Sequence, residues 1–195
     1  MKYIIMADGK GTRWNNYNNI PKHFIEIDGE KIIERTIRLL KKYDINSKII
    51  VTSHDERYCF DGVERYEPMN NILEIDRFTE ELIEDNICFL YGDCYYEDNS
   101  IETIVNSSND SLLFFGNDSS IVAIKVFDSE LFKKHILNVK NLYNKGLIDT
   151  CKGWQVYYSF KNMLFCDKII SEDFIMLNSN THDFNSPDDL KKYMR

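Results

Sequence analysis

Tyr3-Ile4-Ile5-Met6 is a short apolar run of β-favouring residues that breaks at once into Ala7-Asp8-Gly9-Lys10-Gly11-Thr12-Arg13. Such a run reads as a buried strand. Glycines directly after it let the backbone turn sharply and present bare N–H groups to a ligand. Thr12 adds a hydroxyl donor, and Arg13 adds a planar, permanently charged fork suited to phosphate oxygens. Lys22 follows a proline that stiffens its approach. Strand, glycine turn and convergent cations together describe a polyphosphate site. It is not a Walker A loop, because Gly-x-x-x-x-Gly-Lys-Ser/Thr is missing. It also fails the dinucleotide fingerprint, whose third glycine position is taken by the bulky Trp14.

The stretch that follows supports an α/β fold. Asp28-Gly29 is a turn signal, and Glu30 to Tyr43 has Ile33, Ile37 and Leu40 on one stripe with charges opposite, as an amphipathic helix does. Lys48 to Ser53 contains a second buried strand. Strand, loop, helix and strand form a βαβ unit, so a parallel sheet is expected. Gly62 to Tyr66 reads as a short strand and Asn70 to Asp85 as a crossover helix, with Ile72, Ile75, Phe78 and Leu82 at helical spacing. Asn86 to Tyr91 is the next buried strand, with Gly92-Asp93 at its carboxyl end, where open α/β sheets collect ligands. Ser111–Phe115, Ile121–Phe127, Asn162–Ile170 and Asp173–Leu177 are further strand candidates, and Asp128–Leu142 is helix-like. No repeat, linker or shift in composition marks a boundary, so residues 1–195 are expected to be a single domain.

A net charge of −8 argues against a nucleic-acid or anionic-membrane partner, and it makes the basic island of Lys10, Arg13, Lys22 and His23 more informative. The five cysteines are odd in number and lack Cys-x-x-Cys spacing, which indicates neither zinc nor a disulfide framework; Cys88 and Cys166 sit in apolar runs and read as core. The apolar run after Met1 is too short for a signal sequence and no stretch approaches a membrane span, so a cytoplasmic location is expected.

A nucleoside triphosphate reacts as its magnesium complex, and magnesium takes carboxylates, water and phosphate oxygens. Asp93, after a buried strand and a glycine, reads either as one such ligand or as part of an ordinary strand-ending turn. Near the end of the chain, Ser186-Pro187-Asp188-Asp189 reads as a helix start, with Ser186 capping and Pro187 at the first position. That cap would fix where Asp183 and Asn185 point.

The pattern Ala7, Gly9, Gly11, Thr12, Arg13, then Pro21-Lys22, resembles the signature of nucleotidyltransferases that activate phosphorylated sugars and alcohols. Asp8 departs from it, standing where that family usually has a small residue. The resemblance implies a Rossmann-like (GT-A-like) three-layer sandwich with a mostly parallel central sheet. It implies Mg2+ as cofactor, with Asp93 as a metal ligand and the second ligand at Asn185 or the adjacent Asp183. It implies Arg13 and Lys22 as catalytic residues, and Met6, Ala7, Asp8, Gly9, Gly11, Thr12 and Asp93 around the nucleotide. Glu67-Pro68-Met69-Asn70-Asn71 resembles the Asn-Asn segment of choline-phosphate cytidylyltransferases of bacterial surface-polymer pathways, which puts Asn70 and Asn71 near an acceptor. Trp154, Tyr157 and Tyr158 read either as plain core packing, the favoured reading, or as an aromatic wall suited to a quaternary ammonium. Lys125 reads either as an acceptor-phosphate contact or as a solvent-facing residue.

The implied partners are an NTP, with CTP favoured, and a small phosphorylated acceptor, phosphocholine-like or a sugar phosphate; a homodimer is left open. A molybdopterin guanylyltransferase-like enzyme and a non-catalytic nucleotide-binding homologue are the alternatives.

Overall fold

The computed structural model describes residues 1–15, 17–165, 170–177 and 180–193. Its centre is a seven-stranded sheet. The strands are β1 (Lys2–Met6), β2 (Lys48–Thr52), β3 (Glu64–Tyr66), β4 (Ile87–Tyr91), β5 (Leu112–Gly116), β6 (Ile121–Val126) and β7 (Phe174–Met176). Their spatial order is β7-β5-β6-β4-β1-β2-β3, and every pairing is parallel except the two made by β6. β1 lies between β2 and β4, with Met6 level with Thr52 on one side and Tyr91 on the other. The chain moves outward from β1 to β2 and β3, then crosses back to β4, so the strand order reverses at β1. Such a switch point opens a crevice at the carboxyl ends of the strands.

Alternate residues of β1 feed two cores, Tyr3 and Ile5 into one, Ile4 and Met6 into the other. Helices α1 (Ile32–Tyr43) and α2 (Asp98–Asn106) cover the first face. Helices α3 (Ser129–Asn144) and α4 (Gly153–Phe160) cover the second. A third cluster, around Trp14, Ile25, Ile32, Tyr95 and Phe184, is closed by α5 (Pro187–Tyr193) through Leu190 and Tyr193. These layers are the three-layer α/β architecture expected. Among the described residues no helix is long and apolar enough to cross a membrane.

Several boundaries differ from expectation. Glu30-Lys31 does not begin α1; it pairs with Glu26-Ile27 around Asp28 and Gly29, whose φ of 54° and 78° suit a tight two-residue hairpin turn. The segment expected as a helix from Asn70 to Asp85 is two 3-10 turns, Glu74–Phe78 and Glu80–Leu82. The Asp76 carboxylate captures the N–H groups of Ile72 (3.1 Å) and Leu73 (2.7 Å), and Thr79 sits at φ 36°, which ends any helix there. Ile75 and Phe78, three apart, are buried, while Ile72 is 76% exposed. α2 and the antiparallel pairing of His182-Asp183 with Cys94-Tyr95 were not anticipated. No strand forms among the described residues of the range 162–170. Lys125 is not solvent-facing: it is buried, and its ammonium donates to the carbonyls of Val105 (2.8 Å) and Ser107 (2.6 Å) at the end of α2. Cys88 is in the core as read, whereas Cys166 lies outside the described residues.

Candidate active site

The loop after β1 starts at the rim of the sheet. The Ala7 N–H donates to the Thr52 carbonyl (3.1 Å) and the Met6 carbonyl accepts from Gly92 N–H (3.0 Å), so the strand ends are pinned together. A side chain at Gly92 would place its Cβ 2.8 Å from the Met6 oxygen, so this close approach needs glycine. Gly11, at φ 56°, turns the loop, and its carbonyl accepts from Trp14 and Asn15 N–H. Trp14 explains why a bulky residue stands here: it is buried in the third cluster, and its indole N–H donates to the Ile20 carbonyl (2.9 Å). With Trp14 anchored, Thr12 and Arg13 are left exposed. Ala7, Asp8, Gly9, Gly11 and Lys22 line one cleft of about 260 Å³, while the Met6 side chain is buried in the core.

Lys22 follows Pro21 into a 3-10 turn and forms a buried ion pair with Asp93. Burial alone would raise the Asp93 carboxyl; the charge and hydrogen bond of Lys22 above all, with the Arg77 charge behind it, hold it below its ordinary value. Asp93 is therefore an ionised carboxylate inside the protein. Beside it His23 is buried, with Nδ1 2.6 Å from the Tyr58 hydroxyl. Burial, reinforced by the Lys22 charge, lowers its pKa to about 3, so this ring is neutral at physiological pH and adds no cation.

The tail arrives by strand pairing. Asp183 is in register with Cys94, and Phe184 N–H donates to the Asp93 carbonyl (2.8 Å). Arg13 Nη2 donates to Asn185 Oδ1 (2.8 Å), the Asn185 amide donates to Asp183, and Ser120 Oγ donates to the other Asp183 oxygen (2.9 Å). The helix start read from the sequence holds this tail: Asp189 accepts from the N–H groups of Asn185 (3.0 Å) and Ser186 (2.8 Å). Arg13, Asp93, Asp183 and Asn185 line a second cleft of about 230 Å³. The carboxylates of Asp93 and Asp183 and the Asn185 amide carbonyl in its lining are hard oxygen donors, the type magnesium takes.

The acceptor candidates divide. Trp154 lines the Asp93 cleft; its ring is stacked with Phe174 (5.4 Å between centroids) and Tyr158 (5.8 Å), and its N–H reaches the Ser119 carbonyl (3.3 Å). Tyr157 and Tyr158 are buried core, as favoured from the sequence. Asn71 donates to Asp8 Oδ2 (2.8 Å), and Asn70 lines a separate groove with Asp76 and Lys140. The Asp8 carboxylate also accepts from the His54 N–H (3.0 Å). Its charge is thus held by donors at the ends of the neighbouring loops, which explains how an acid is tolerated beside the glycine turn.

Sequence reasoning missed Arg77 and Lys152. The Arg77 guanidinium lies against Gly9, where a Cβ would come within 3.2 Å of Nη2, and Arg77 and Lys152 line the Asp93 cleft. One signal was present: Arg77 is the only lysine or arginine between Arg65 and Lys125.

No protein-family model matches the chain, and no curated protein matches it. Its fold is similar to that of CTP:phosphocholine cytidylyltransferase from Streptococcus pneumoniae, with TM-score 0.61 and 18% identity over 98% of this chain and 96% of that one. The inositol-1-phosphate CTP transferase from T. maritima gives TM-score 0.59 and 14% identity, covering 99% and 93%. A putative glucose-1-phosphate thymidylyltransferase from Bacillus anthracis gives 0.58 and 15%, also covering 99% and 93%. These likenesses establish a shared Rossmann-like fold over nearly the whole length of each chain.

Proposed function

We propose that this protein is a nucleotidyltransferase that moves a nucleoside monophosphate from an NTP, with CTP favoured, onto a small phosphorylated acceptor and releases pyrophosphate. The observation that carries this reading is the meeting of Arg13 and Lys22 with Asp93, Asp183 and Asn185 at the switch point of the sheet. Two structural neighbours named for CTP support the choice of base. In their names and a third the acceptors are phosphocholine, inositol 1-phosphate and, as a putative assignment, glucose 1-phosphate.

A phosphate oxygen of the acceptor attacks the α-phosphorus in line, the bond to the bridging oxygen breaks, and pyrophosphate departs with its electron pair. The attacking oxygen is already anionic, so the protein needs neither a nucleophile nor a strong base. Its task is positioning and charge neutralisation. The loop amides and Arg13 hold the β- and γ-phosphates, and Lys22 meets the charge growing on the α-phosphate. Asp93 and Asp183, with the Asn185 carbonyl, would hold Mg2+. The fit rests on an all-oxygen donor set and on an Asp93 kept ionised by its neighbours. When bound, the metal supplies additional neutralisation of the triphosphate.

The test is pyrophosphate release from ATP, CTP, GTP and UTP with a panel of phosphorylated acceptors and magnesium. The reading expects release that needs both substrates and is fastest with CTP. Release with no pair, alongside intact folding, contradicts it; a GTP preference with a pterin acceptor favours the guanylyltransferase alternative.

A further inference from the structure

The cations around the two clefts differ in what they already hold. Lys22 is committed to Asp93 and Arg13 to Asn185. The Arg77 guanidinium approaches Glu74 only at 3.9 Å and makes no hydrogen bond among the described residues. Lys152, just before α4, forms no ion pair or side-chain hydrogen bond among them. Two charges that line the Asp93 cleft are thus left available to an anion. Arg77 stands at the junction: it lies against Gly9 of the nucleotide cleft and lines the other cleft together with Asp93 and Asp183. An acceptor phosphate must lie next to the α-phosphate to react, and this junction is where the two would meet.

The rest of the cleft speaks to the acceptor's other end. A quaternary ammonium needs a free aromatic face. Trp154 is stacked with two rings already. Tyr91, the other aromatic in the lining, has its hydroxyl packed where a Gly153 Cβ would approach to 2.7 Å. The lining offers instead the Glu74 carboxylate and the Ser119 and Ser120 hydroxyls, groups that match hydroxyls.

The geometry points to an acceptor that is a phosphorylated, hydroxyl-bearing molecule, a polyol or sugar phosphate and not an ammonium alcohol, with its phosphate seated on Arg77 and Lys152. This rests on the nucleotidyl-transfer reading above.

The experiment is steady-state pyrophosphate release with CTP and magnesium, comparing glycerol 3-phosphate, inositol 1-phosphate and hexose 1-phosphates with phosphocholine. A hydroxyl-bearing acceptor is expected to exceed phosphocholine in kcat/KM by at least about tenfold. Lys152→Ala is expected to raise the acceptor KM by about tenfold, the loss of one charge-assisted contact, with the CTP KM unchanged. Arg77→Ala is expected to raise the acceptor KM and lower kcat, with Arg77→Lys recovering part of both. Phosphocholine as the best acceptor overturns the inference and leaves nucleotidyl transfer standing. So does a rise in the CTP KM alone in both alanine variants. No turnover with any acceptor overturns both.

Discussion

Two contacts tie the front of the chain to distant oxygens, and they are opposites. Lys22–Asp93 is buried, at 7% and 4% exposure, under the sheet rim. Arg13–Asn185 joins an exposed arginine to a neutral amide at the surface. A buried ion pair is costly to break, because removing one partner strands the other charge. A surface hydrogen bond is cheap to exchange for a ligand. The first contact sets the charge state of the site; the second can let go of its partner when a triphosphate arrives.

The sharpest way to break that contrast is substitution at both positions. Lys22→Ala should destabilise the fold by about 3–5 kcal/mol, because ionised Asp93 is left buried and unpaired; urea denaturation at neutral pH measures this. Arg13→Ala should stay within about 0.5 kcal/mol of wild type yet lose about 10²–10³ in turnover. Equal destabilisation by the two would erase the distinction. Next in size, Gly92→Ala should cost about 1–3 kcal/mol by overpacking, since its Cβ meets the Met6 carbonyl at 2.8 Å and His23 at 3.2 Å.

Acid titration sharpens the buried side further. Unfolded His23 takes a proton below its ordinary 6.5, while the native ring does so only near 3. The unfolded state therefore binds more protons in that window, and stability falls as pH drops from 6.5 toward 3. Asp93, whose native pKa is depressed, adds stability above its unfolded 3.8 that is lost as pH falls below that value. Denaturation midpoints measured down the pH scale should decline across the first window, and the decline should be shallower in His23→Gln. A flat profile in the wild type would show that the ring is not buried neutral.

The same contrast governs how much of the molecule was legible. β1, β2 and β4 are largely apolar runs that give way to Ala-Asp-Gly, Ser and Gly respectively, so the strands and the rim they build follow from local pattern. Arg13, Lys22 and Asp93 are legible with them, because each sits at a fixed offset from a strand. The stretch from Asn70 to Leu82 was not: its apolar spacing satisfies a helix, and only the capture of Ile72 and Leu73 N–H by Asp76, with the Lys140 ion pair at 2.8 Å behind it, makes it two tight turns. Arg77 owes its place in the cleft to that non-helical path. Lys125 looked like an outward strand residue because no local rule says that the end of α2 will lie over it.

The central claim, that cations and oxygens from distant segments gather around one triphosphate–metal unit, is tested most directly by calorimetric titration of CTP with and without magnesium, in wild type and in Asp183→Ala, which leaves the Lys22–Asp93 pair whole. The account predicts that magnesium tightens CTP binding in the wild type and that most of this gain is lost in the variant. Binding that ignores magnesium in both proteins would contradict it.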